Sequence, residues 1–312
     1  QGNDQSMRKR RRKKRYFLRA MLFLLAAALV AAGFYLYPAW RAAKALQDKM
    51  GLPYGSFEME LELDREELSQ GQEKMLGTLA RLTGIQEEAM YRLSIRGKIQ
   101  EDKAHLKIYP DGRTEPLVEL YLGNDTNVIN ETMLYNAIRT NLTEQFGLLK
   151  FLMPAQEETL YISLEQVEQL FGIDLSGLHG FDLSALTRKI RAEEYFLVLA
   201  VMSRERQGER YRFALDTGQA GLGFEVQAGT GYEAVGIELE VPDLPKALAH
   251  GRKLSSLLGS WKPGEELKIV KSFSMALTWS EDGTITIPTN LVDQGTIETI
   301  SGIRAWIQET FG

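Results

Sequence analysis

No cysteine occurs among the 312 residues, and histidine appears only three times, at His105, His179 and His250. The first absence excludes a disulfide scaffold, a thiolate nucleophile and a Cys-ligated zinc site. The second leaves no two histidines at the four-residue spacing that binds zinc on a helix, so each reads as an ordinary surface or strand residue. A Gly-x-Ser-x-Gly elbow is also missing, and the one Ser-x-x-Lys, from Ser6 to Lys9, lies before the apolar segment described below. Gly229-Thr-Gly231-Tyr-Glu-Ala234 matches a dinucleotide fingerprint in letters only. It sits between strand patterns and opens no helix, so it reads as a hairpin turn. No Asp-x-Asp-x-Asp-Gly loop offers a calcium site. Catalysis, a metal and a cofactor are therefore not expected. The 44% hydrophobic and 25% charged composition is that of an ordinary globular chain.

Charge, by contrast, is present and segregated. Residues 1–45 hold eleven Lys or Arg against one Asp, whereas residues 46–312 hold 26 basic and 41 acidic residues. So acidic a body does not attract nucleic acid, and no such partner is expected. Eight consecutive basic residues, Arg8, Lys9, Arg10, Arg11, Arg12, Lys13, Lys14 and Arg15, come before an uncharged stretch from Ala20 to Tyr37. A helix of that length spans about 27 Å, close to the roughly 30 Å hydrocarbon core of a bilayer. Tyr16, Tyr35, Tyr37 and Trp40 stand where an aromatic belt belongs, and Pro38 ends the apolar pattern. The expectation is a basic cytoplasmic tail over 1–15 and a transmembrane helix over 16–38, retained as a signal-anchor. The positive-inside rule then places the rest of the chain outside the cytoplasm of a single-pass cell-membrane protein. Cleavage after Val30-Ala31-Ala32, as in a signal peptide, is the competing expectation.

After a helical connector over 39–56, apolar residues alternate with polar ones. Phe57, Met59, Leu61 and Leu63 fall on one face of a strand whose other face carries Glu58, Glu60 and Glu62, an acidic row best read as solvated surface. The same period of two returns around 91–99, 104–108, 118–122, 211–215, 222–226, 235–241 and 273–279, with turn sequences such as Pro110-Asp-Gly112 and Asp216-Thr-Gly218 between. One-sided alternation with short turns argues for antiparallel sheet. Helical spacing appears at Leu68, Gln72, Met75, Leu79 and Leu82, and a capping box at Ser163 to Gln166. Further helices are read from Asp182 through Leu197, from Pro245 to Leu258, and from Ile297 to Phe311. The fold class is therefore α+β: the transmembrane helix, then an extracytoplasmic domain over 57–312 made of an antiparallel sheet packed with helices, with possible halves at 57–163 and 195–312. Asn124, Asn130 and Asn141 open Asn-x-Thr sequons.

The helix ending Ala45-Leu-Gln-Asp-Lys-Met50, the Gly-containing turn, the strand Ser56-Phe-Glu-Met-Glu-Leu-Glu-Leu63 and the meander from Tyr91 to Ile138 together resemble the opening of the LolA/LppX-type lipoprotein-carrier superfamily over roughly residues 41–163. That resemblance implies a curved antiparallel sheet wrapped around helices, with an apolar cavity between them for acyl chains. The chain departs from it in its N-terminal apolar helix, its lack of a lipobox cysteine and its long second β-rich half. Phe57, Met59, Leu61, Phe213, Phe224, Met275 and Trp279 are the candidates to line such a cavity, if they do not simply close a packed core. The expected function is a membrane-anchored, extracytoplasmic, non-enzymatic binding protein of a bacterial envelope. Its expected partners are the lipid bilayer, a lipid or other apolar ligand, and an envelope protein. The alternative expectation is a solid-cored scaffold or interaction module.

Overall fold

Alternation in the sequence becomes one continuous sheet. The computed structural model describes residues 30, 33–34, 36–49, 55–100, 103–123, 126–171, 191–218, 220–228, 232–247, 249, 268–279, 284–298 and 301. Helix α1 spans 36–49. Strand β1 (Gly55–Leu63) is followed by α2 (Gln70–Thr83), β2 (Arg92–Gln100), β3 (Lys103–Pro110), β4 (Val118–Leu122) and β5 (Val128–Asn130). Helix α3 (Glu131–Gln145), the single turn α4 (Leu149–Leu152), β6 (Tyr161–Ser163), α5 (Leu164–Phe171) and α6 (Ala192–Val201) come next. The chain then forms β7 (Ser203–Gln207), β8 (Arg210–Asp216), β9 (Gly221–Ala228), β10 (Tyr232–Val241) and β11 (Val270–Trp279). The eleven strands lie in the order β6-β5-β4-β3-β2-β1-β11-β10-β9-β8-β7, each antiparallel to its neighbours. First and last strands meet in the middle, so residues 57–163 and 195–279 form two wings of one sheet.

Register places the apolar residues together. Phe213, Phe224, Ile237, Leu277, Phe57, Gly97, Leu106, Leu120 and Ile129 stand opposite one another across successive strands. Two helical layers cover this face. On one wing α1 presses Ala39, Ala42, Ala43, Ala45 and Leu46 against Phe213, Phe224, Val226 and Ala234, joined by Ala192, Leu199 and Met202 around α6. On the other, Leu76, Leu79 and Ala80 of α2 and Leu134 and Ala137 of α3 pack around Met90, Leu117 and Val118. Helix α2 begins at a capping box between Ser69 and Gln72 and stops at Gly84, whose φ of 68° is left-handed. Its inward stripe is the buried Ala80 and Thr83 with the half-buried Leu76 and Leu79, and Met75 faces solvent, so the inward face is rotated from the one expected. The capping box of Ser163 and Gln166 forms as expected, with both hydrogen bonds present.

One expectation is overturned. No helix among the described residues is long and apolar enough to cross a membrane. The transmembrane helix over 16–38, the signal-anchor topology and the single-pass, extracytoplasmic localisation therefore lack support. Residues 1–29, with the basic run Arg8, Lys9, Arg10, Arg11, Arg12, Lys13, Lys14 and Arg15, lie outside the described residues. Of that segment's described residues, Val30, Phe34 and Tyr37 are helical and exposed, and burial begins at Pro38. Pro38 does not end that helix; it is buried inside α1, and the alanines after it contact the sheet.

Several expected features fall outside the described residues, among them most of the helix read from Asp182, the helix beyond residue 249, the end of the C-terminal helix, His179, His250 and the turn at 229–231. Residues 284–297 run past the ends of the strands toward β6. Ile285 sits buried, its backbone N bonded to the Gln100 side chain, and Asn290 and Val292 exchange backbone hydrogen bonds with Tyr161. This pairing covers the β6 edge. At the other edge β7 reads Ser-Arg-Glu-Arg-Gln, a charged sequence of the kind that keeps open edges from pairing.

Candidate binding face

All seven candidate residues lie on the helix-side face, but in two settings. Phe213 and Phe224 are 1% and 3% exposed, closed beneath α1, with ring centroids 6.3 Å apart. The Trp279 ring meets Phe224 edge-on at 6.3 Å and sits at the border of that cluster. Phe57, Met59, Leu61 and Met275 are only half-buried. They belong to the central strands, where Phe57 stands opposite Leu277, Met59 opposite Met275 and Leu61 opposite Phe273. Gly97 makes room for the Phe57 ring: a Cβ there would lie 3.0 Å from the ring and 2.3 Å from the His105 carbonyl oxygen.

Burial across the sheet runs contrary to the usual order, in which central strands are the driest. In β1 only Gly55 is buried, and no residue of β2 or β11 is. The wings carry the sealed positions of this face: Phe213, Phe224, Val226 and Ala234 on one side, Ala104 and Leu122 on the other. Between the helical covers lies a strip of Phe, Met, Leu and Ile side chains, soft and apolar, with part of its surface free.

The opposite face is polar. Glu58 and Glu62, with Glu60 between them, are joined to Arg96 at 2.7 Å and Lys271 at 2.8 Å, and Lys271 holds the Glu62 carboxyl below the usual range. Shallow grooves of about 640 and 590 Å³ adjoin at Glu60, Glu240 and Ser274, walled by charged side chains and open to solvent. Among the described residues no three His, Asp or Glu side chains converge to hold a metal ion.

Sequence reasoning missed one constellation on this face. Glu119 is buried, and one carboxylate oxygen accepts from His105 Nε2 at 2.7 Å while the other accepts from Asn130 Nδ2 at 2.7 Å. Lys107 Nζ lies 3.6 Å away. Those donors, His105 first, hold the Glu119 carboxyl down to about 2 against burial, which would raise it. His105 stacks on Tyr121 at 4.2 Å, and burial, then the Glu119 charge, pushes the Tyr121 phenol up to about 12. A carboxylate orienting an imidazole suits acid–base work. Here, however, the same carboxylate holds Asn130, whose Oδ1 accepts from Met133 N as the N-cap of α3. Glu119 thus ties β3, β4, β5 and α3 together as a structural hub. The available signal was the facing pair of polar strands, His105 and Lys107 against Glu119 and Tyr121, all pointing outward in register.

Two of the sequons are also committed. Asn130 Nδ2 binds Glu119, and Asn141 Nδ2 donates to the carbonyls of Arg81 and Leu82 at 3.0 Å, closing the end of α2. A glycan on either nitrogen would break these bonds. The third sequon, at Asn124, lies outside the described residues.

The sequence matches no protein-family model and no curated protein, so the likeness to lipoprotein carriers draws no support from such comparisons.

Proposed function

We propose that the protein is a non-enzymatic binding protein that holds a lipid or another apolar ligand against the central strands of its sheet. The observation that supports this reading is the inverted burial: β1, β2 and β11 keep apolar side chains half-open while Phe213 and Phe224 in one wing and Ala104 and Leu122 in the other, on the same face, are sealed. A sheet face of about ten apolar side chains left partly wet forgoes roughly 25 cal/mol for every Å² that could be dried, and a ligand recovers that stabilisation when it covers them. Methionines at the middle of the strip, Met59 opposite Met275, adapt to ligands of varied shape.

The test compares the full-length chain with a Met59→Glu/Met275→Glu variant, titrated with a fluorescent fatty acid, with circular dichroism confirming the fold of both. Saturable binding that weakens at least tenfold in the variant is expected, since two carboxylates would have to be desolvated beside the ligand. Equal affinity in the two chains overturns the reading and favours a solid-cored interaction module.

A further inference from the structure

We infer that the apolar tip connecting α3 to β6 is a docking element for a lipid surface carrying anionic headgroups. The inference stands apart from the ligand reading and uses different residues. Phe146, Leu148, Phe151 and Leu152 are 58%, 81%, 87% and 76% exposed. They are not loosely held. Leu149 N and Phe151 N donate to the carbonyls of Phe146 and Leu148, winding the tip into a compact turn. The chain then returns along α3 pinned by one helix face: Arg139 Nε donates to Met153 O at 2.7 Å, Tyr135 OH to Pro154 O at 2.9 Å, and Asn136 Nδ2 to Gln156 O at 3.3 Å. Thr132 Oγ1 completes the series by donating to Glu158 O at 3.0 Å and accepting from Leu160 N at 2.8 Å.

A rigid hairpin that holds four bulky apolar side chains in water has a use for them. Charge and shape identify the occupant. From Gln145 to Gln156 the only charged residue is Lys150, on a body, residues 46–312, with 41 acidic and 26 basic residues. The tip is therefore a cationic, apolar island on a molecule that anionic headgroups otherwise repel, the combination by which peripheral elements seat in the headgroup region. A second copy fits less well. At about 200 Å² for a full large side chain, four of them offer at most about 600 Å² per copy, short of the roughly 800 Å² per partner of a stable dimer.

Because the chain has no cysteine, Leu148→Cys or Phe151→Cys gives a single attachment point for an environment-sensitive fluorophore in the full-length protein, with Glu205→Cys on β7 as the reference position. The labelled chains are mixed with vesicles of phosphatidylcholine containing a minority of phosphatidylglycerol, and with vesicles of phosphatidylcholine alone. Emission at 148 and 151 should rise on the anionic vesicles and be quenched by nitroxide-labelled lipid, while the label at 205 stays unquenched. Lys150→Gln should weaken the response about fivefold, the loss of one basic residue at an anionic surface. If the chain sediments with the vesicles but labels 148 and 151 remain unquenched, the docking role is overturned. A rise that appears without vesicles and grows with protein concentration overturns it in favour of a second copy. Equal quenching on both vesicle types overturns the part assigned to charge.

Discussion

Glu119 offers the sharpest test of how the outer face is held. Its carboxyl titrates near 2 in the folded chain, against 4.5 for a free glutamate. A tenfold change in acidity is equivalent to about 1.4 kcal/mol, so ionised Glu119 stabilises the fold by on the order of 3 kcal/mol. Because the folded value is the lower one, this stability is fully present above the free-glutamate range and disappears as pH falls from about 4.5 through 2. Glu119→Gln keeps the shape and a hydrogen-bonding oxygen but removes the charge. Urea denaturation should find the wild-type chain more stable than the variant by about that amount at neutral pH, with the gap closing on acidification. His105 does not open the gap by itself, since its Nε2 can donate to the carboxylate whether or not the ring carries a second proton. A gap that stays constant from neutral to strongly acid solution would falsify the assignment, because the loss would then come from packing and not from charge.

Identical substitutions at the wing and at the centre probe the inverted burial. Phe213→Ala, in the closed cluster, should cost about 3–5 kcal/mol, whereas Phe57→Ala, half-open on the same face, should cost about 1–2 kcal/mol. Equal losses in denaturant titrations of ligand-free protein would show the centre to be as tightly filled as the wing. Gly84→Ala should lower the melting temperature and cost at least about 1–2 kcal/mol from the left-handed backbone alone. The new Cβ would also lie 2.4 Å from Asn141 Oδ1, so Gly84→Ala and Asn141→Ala combined should lose less than the sum of the two.

The strands were legible wherever one face is dry and the other wet. β1, β2, β3, β4, β8, β9 and β11 all follow the period of two, as does most of β10. Alternation running back from Val241 would turn Val235 inward, but a bulge between Ala234 and Gly236 resets it, and Ala234 is the buried residue. β5 and β6, with three residues each, are too short for a period to show. β7 has no apolar alternation because an edge is better protected by charge: self-pairing centred on Glu205 would set Arg204 against Arg206 of a second copy. Strand order was not legible at all. Nothing in residues 55–63 or 270–279 announces that the first and last strands pair, since each would accept any partner presenting the same alternation.

Alternation names the face of a side chain but not what covers that face, which is why the seven apolar candidates could be chosen together and yet divide between closed core and open strip. The cover comes from helices, and their lateral position depends on side-chain size. Ala39, Ala42 and Ala43, followed by Ala45 and Leu46, recur at helical spacing with almost no bulk, so α1 can approach the sheet closely enough for Phe213 and Phe224 to fill the space beneath it. A helix facing lipid gains from large residues, since every added methylene is buried at no cost in separation; a helix facing a sheet gains from small ones. The alanines after Pro38 therefore mark the part of α1 that packs on protein, whereas Val30, Phe34 and Tyr37 before it stay exposed. The same logic separates the wings from the centre: with α1 drawn down by its alanines onto β8, β9 and β10, and α2 and α3 packed over Leu117 and Val118, the strip along β1 and β11 lies, among the described residues, between two covers that each stop short of it.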